Sequence, residues 1–222
     1  MDKFMEEFLG FSGFGPAFSC HPVPPETIEK FRGRLPDKLL EYWQLYGWCG
    51  YAKGLFWTVD PEAWEETMLD WIGNTPFMAQ DTYHVIARTA FGGLILWGEK
   101  TGQSLKVLTA WGMIFPKFNP EQFARRGADQ SLQFFFASIS RESFDLMDDK
   151  GHPLFERALA KLGPLDHDTV YGFVPALALS GSPSLQSLQK LDAHVHLSIL
   201  SQVTERQVMR DINADARAAG LM

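Results

Sequence analysis

The residues best suited to chemistry in this chain are its histidines and acids, and their spacing argues against a catalytic assembly. The six histidines lie at 21, 84, 152, 167, 194 and 196. His194-Val195-His196 would place two imidazoles on one face if this stretch is a strand, and Asp166-His167-Asp168 adds further ligand types. A metal-dependent hydrolase built on Asp166, His167, Asp168, His194 and His196 is therefore one reading. A metal needs three or four ligands converging, and an isolated H-x-H is a weak signal, so the favoured reading is surface or hydrogen-bonded histidines. The chain carries no G-x-x-x-x-G-K-[ST] phosphate loop, no H-E-x-x-H and no G-x-S-x-G. The early glycines, G-F-S-G-F-G, do not match G-x-G-x-x-G and follow no strand. Cys49, between Trp48 and Gly50, reads as a buried and unreactive thiol. No catalytic residue, metal or cofactor is expected.

A different property emerges between residues 60 and 70. Asp60, Glu62, Glu65, Glu66 and Asp70 are all acidic, and no base separates them. Most acidic helix faces are simply solvated, but this one would complement a basic surface. Adjacent Asp148-Asp149 sit in a polar turn, MDDKG. Glu62, Glu65, Glu66, Asp70, Asp148 and Asp149 are the candidate partner-binding residues.

Composition points the same way. Among 222 residues, 27 acids face 20 bases, a formal charge of −7. Binding to nucleic acid through bulk charge is disfavoured, because phosphates would be repelled. A hydrophobic fraction of 45% excludes intrinsic disorder. The high aromatic share, with 18 Phe and 7 Trp, suits a dense core and aromatic anchors at an interface. Two cysteines are too few for a disulfide scaffold and fit a reducing cytosol. The acidic start MDKFMEEFLG does not read as a signal peptide, and no apolar run is long enough to cross a membrane, so a cytoplasmic protein is expected.

The elements that must hold these residues begin with a short helix and an aromatic, glycine-rich loop over Phe4 to Phe18. A stiff connector follows at Pro22, Pro24 and Pro25. Helices are predicted over PETIEKFRG and from Pro36, with Leu39, Leu40, Trp43 and Tyr46 inward and Gly47 as the stop. Asp60-Pro61-Glu62 reads as a helix start, with Trp64, Met68 and Trp71 on the buried side and Gly73 at the end. Strands are predicted at Gly54–Val59, Thr82–Thr89, Leu94–Gly98, Leu105–Leu108 and Gly112–Phe115. Asn119-Pro120-Glu121 opens a helix that Gly127 ends. Periodicity does not decide between strand and helix from Ala128 to Ile139. A helix over HPLFERALAKLG, an apolar-patterned stretch from Leu185 to Val203 and an exposed tail helix from Glu205 to Ala219 complete the chain. The class is α+β: an N-terminal helix-plus-antiparallel-sheet unit, 1–125, with a smaller, mainly helical unit, 126–222, packed on it.

Particular residue blocks carry a family resemblance. F-S-G-F-G-P (Phe11 to Pro16), Val23-Pro24, L-P-D-K-L-L-E-Y-W (Leu35 to Trp43), Gly47 and G-L-F-W-T-V-D-P (Gly54 to Pro61) resemble the GAD-like domain family. Y-G-F-V-P-A-L-A-L (Tyr171 to Leu179), Gly181 and H-L-S-I-L-S-Q (His196 to Gln202) resemble the associated C-terminal domain of type VI secretion immunity proteins. The resemblance implies a cytosolic antitoxin that binds the basic nuclease domain of a cognate DNase effector and blocks its site. It also implies that these motif residues form the fold, while toxin-reading residues lie elsewhere. Some relatives are suggested to regulate their own transcription. This chain shows no helix-turn-helix with a basic recognition helix to support that role.

Overall fold

A computed structural model describes residues 2–211 and 214. Its centre is an eight-stranded sheet. The strands are β1 (Phe18–His21), β2 (Trp48–Tyr51), β3 (Phe56–Thr58), β4 (Tyr83–Thr89), β5 (Leu94–Gly98), β6 (Gly102–Leu108) and β7 (Met113–Pro116), closed by β10 (Gln207–Val208). β1 to β7 pair in chain order and antiparallel, while β10 joins β7 in parallel. A separate antiparallel ribbon pairs β8 (Thr169–Phe173) with β9 (Leu188–Asp192). The class is α+β.

The central strands are buried along their whole length, β5 as an apolar run and β3 and β4 with Thr58, His84, Arg88 and Thr89 buried among apolar neighbours. Alternate residues therefore serve two cores. Phe56 faces Phe8, Phe14, Phe136 and Phe144 on one side of the sheet. Trp57 turns to the other side, meeting the Arg88 guanidinium and the His167 ring. The first side is covered by α1 (Lys3–Glu6) with the turn after it, α3 (Asp37–Tyr46) and α5 (Pro120–Ser138). The second carries α4 (Glu65–Ile72), α7 (Ala193–Val203) and the ribbon. α2 (Pro25–Phe31) lies against α3, and α6 (Phe155–Leu162) against β9.

Several boundaries differ from expectation for local reasons. The helix predicted from Asp60 starts later, at Glu65. The Asp60 carboxylate accepts from the Glu62 amide at 3.0 Å and closes a turn through residues 61–64. Gly127 does not stop its helix. With φ at +74° it kinks α5, which resumes as far as Ser138, so the undecided stretch from Ala128 is helical. Asn119 caps this helix as expected, accepting from the Gln122 amide at 3.0 Å. Pro22 and Pro24 lie in the extended connector and Pro25 opens α2, but the residues before the connector form β1, and Cys49 lies in β2. Cys20 and Cys49 are joined as a disulfide between these strands, which corrects the reading of Cys49 as a free thiol. The tail forms β10 at residues 207–208 instead of helix; its predicted continuation to Ala219 falls almost wholly outside the described residues.

Candidate interaction face

α4 is built from an amphipathic sequence. Trp64, Thr67, Met68, Trp71 and Ile72 are buried, and Glu62, Glu65, Glu66 and Leu69 are exposed, with Asp70 half-buried. Glu65 and Glu66 occupy the first turn, where the helix dipole favours negative charge. Glu62 pairs with Lys30 of α2. Glu65, Glu66 and Asp70 make no ion pair among the described residues. Burial pushes the Asp60 carboxyl above its usual range, an effect that its bond to the Glu62 amide opposes.

α7 holds α4 in place. Asp192 caps α7 by accepting from the Val195 amide at 2.9 Å. Two residues after this cap, the His194 ring lies 4.6 Å from the Trp64 ring, and its Nδ1 is 3.0 Å from the Thr67 hydroxyl. Ala193, Leu197, Leu200 and Ser201 point inward. Outward, Val195, Ile199 and Val203 recur every fourth residue and are 60%, 54% and 37% exposed. Helical spacing places them in one stripe. The two packed helices thus offer an uncharged apolar stripe beside an acidic edge that includes Leu69.

The other acidic candidates have different surroundings. The Asp148 carboxylate accepts from the His152 amide at 2.8 Å, the Lys150 amide at 2.9 Å and Arg157 Nη1 at 2.6 Å. Those bonds, the His152 amide and Arg157 foremost, hold its pKa well below the usual carboxylate range. Its side chain is only 4% exposed, so it orders its own turn and offers little to a partner. Asp149 remains exposed, on a turn docked by its amide to the Pro183 carbonyl.

The candidate metal ligands do not converge on one point. His194 and His196 lie on a helix, not a strand. His194 faces α4, whereas the His196 ring covers Gly172 of β8. His167 stacks on His21 at 3.8 Å and bonds the Ser19 carbonyl at 2.5 Å. Asp166 accepts from the Thr169 hydroxyl at 2.6 Å. Among the described residues, no three His, Cys, Asp or Glu side chains are placed to hold a metal ion.

Sequence reasoning overlooked Arg88. It is fully buried in β4, lies 4.9 Å over the Trp57 ring and donates through Nη2 to the carbonyls of Asp166 and His167, at 2.6 and 3.1 Å. Burial lowers its pKa, while Asp166 and Asp168 act in the opposite direction. It ties the large sheet to the loop that leads into β8. The available signal was an arginine inside an otherwise uncharged strand pattern, Val85 to Thr89.

Residues 3–111 match the GAD-like domain model, and residues 129–204 match the model described as T6SS immunity protein Tdi1, C-terminal. No curated protein matches the chain in sequence. Among solved structures, Atu4351 from Agrobacterium tumefaciens shares the fold, with a TM-score of 0.79 at 20% identity over 94% of this chain and 91% of that one.

Proposed function

Because residues 3–111 belong to the GAD-like domain family and residues 129–204 to the family of the Tdi1 immunity protein C-terminal domain, we propose that this chain is an immunity protein of a type VI secretion system. It neutralises a cognate toxin by binding it and performs no chemistry of its own. The observation that carries this reading is the match of residues 129–204 to an immunity-protein domain, behind a GAD-like unit in the same chain.

The finer reading is that the toxin is a DNase and that the chain occludes its active site or DNA path from within the cytoplasm. A DNA-cutting domain must attract phosphate, so its cleft is positive. An inhibitor of charge −7 would be drawn to that cleft by long-range attraction. We assign the contact to Glu62 in the turn before α4 and to Glu65, Glu66 and Asp70 on α4, with the apolar stripe of α7 as its dry centre. Asp149 remains a rim candidate. The same reading divides the chain at residues 125 and 126, just before the Gly127 kink, with Arg88 fastening the two units together.

The test is bacterial survival when the toxin domain encoded beside this gene is co-expressed with the chain. Wild-type protein should restore growth. The Glu62→Lys, Glu66→Lys, Asp70→Lys variant should protect less, through association slowed about tenfold at low salt and nearly restored at high salt. Equal protection by that variant would refute the surface assignment, and cell death despite wild-type protein would refute the function.

A further inference from the structure

On the side of the sheet away from α4 and α7, β6, the end of β7 and α5 enclose a half-open cleft of about 720 Å³. That volume lies in the range of small-molecule sites. The Gly127 kink shapes it, because residues from both halves of α5 line it: Phe123 and Arg126 before the kink, Phe134 and Phe135 after it. Its charge runs against the composition of the chain. Lys106, Lys117 and Arg126 line it, and no carboxylate is among its lining residues, although the Asp211 carboxylate accepts from the amide of lining Phe118 at 3.2 Å and acids outnumber bases 27 to 20 overall.

None of these three cations makes an ion pair with a described carboxylate. Lys106 is positioned by the Ser143 carbonyl, 2.7 Å from Nζ, and lies 4.9 Å over the Phe144 ring. Arg126 lies 4.1 Å over Phe134, and the Gln122 amide lies beside it, where swapping the amide's oxygen and nitrogen lets the oxygen accept from both terminal guanidinium nitrogens at 3.1 and 3.2 Å. Lys117 is exposed at the mouth. The walls therefore combine fixed positive charge with phenyl faces.

We propose that this cleft binds a nucleoside monophosphate. The phosphate would be held by Lys117 and Arg126, and the base would lie against the phenylalanines. A peptide fits less well. One mode of peptide recognition adds a strand to a free sheet edge, and β10 already takes the β7 edge at Met113 and Ile114. Long nucleic acid is opposed by the charge of the whole molecule.

The experiment is calorimetric titration of the intact chain with the four deoxynucleoside 5′-monophosphates, the matching nucleosides, inorganic phosphate and a 12-nucleotide single strand. At least one monophosphate should bind about tenfold more tightly than its nucleoside and than phosphate alone. Lys117→Glu, an exposed and structurally mild change, should weaken it about tenfold, and Arg126→Gln should do the same with an unchanged melting temperature. Absence of monophosphate binding, equal binding by nucleoside and nucleotide, undiminished binding by Lys117→Glu, or binding of the single strand alone would overturn the proposal.

Discussion

Single side chains in this protein act mainly by where their charge is placed. Arg88 donates to the Asp166 and His167 carbonyls, the first of which otherwise receives only a long 3.5 Å bond from the Thr169 amide, and so bridges the sheet to the β8 approach. Three histidines have a common consequence. Burial holds His84, His167 and His196 below the usual imidazole pKa of 6.5, although a bond to Glu99 opposes this for His84 and one to the Ser19 carbonyl for His167. The unfolded chain therefore takes up more protons than the folded one as pH falls through about 6.5, and folding stability must fall with it. Glu99, held low by His84 and Arg34 against the effect of its own burial, adds a further loss nearer its usual 4.5. The melting temperature should drop steadily between pH 7.5 and 5, with each 1 kcal/mol lost lowering it by about 2–4 °C in a chain of this size. His196→Gln should flatten the upper part of that slope. A melting temperature constant across the range would contradict the account.

Among the elements, β1 depends most on a single bond. It is a short, largely exposed edge strand, and the Cys20–Cys49 disulfide fastens it to fully buried β2. The cysteines are 29 positions apart, so the closed loop is worth about 3–4 kcal/mol through the unfolded state. Dithiothreitol, or Cys20→Ser, should lower the urea unfolding free energy by that amount, and an unchanged midpoint would show that the bond does not stabilise the fold. Elements with a strong internal period were legible in the sequence: β4 and β5 from their β-branched and aromatic runs, α3 and α6 from their apolar spacing and the glycines that stop them. Elements defined by partners were not. β1 and β2 are short and follow or precede prolines and glycines, so only pairing reveals them. His194-Val195-His196 is equally compatible with period 2 and period 3.6 over three residues, and Asp192 as a cap decides for helix. The acidic row on α4 was legible because charge needs no tertiary information to be seen. The apolar stripe of α7 was not, since exposure of Val195, Ile199 and Val203 depends on what packs behind them.

The whole molecule carries two surfaces of opposite character on opposite sides of one sheet: an acidic and apolar face on α4 and α7, and a cationic, phenyl-lined cleft under α5. On the function proposed above, the first face would meet a basic toxin quickly and hold it, with rim charge chiefly setting the rate and the buried apolar centre the lifetime. The cleft lies away from the proposed toxin contact, so on this account nucleotide binding there and toxin binding should be separable by mutation. Catalytic groups are not required for either. The most direct test of the central idea is a titration of this chain into the purified toxin domain while DNA cleavage is followed. The account predicts that cleavage falls linearly and ends at one chain per toxin. Cleavage that continues undiminished at a tenfold excess of the chain would contradict it.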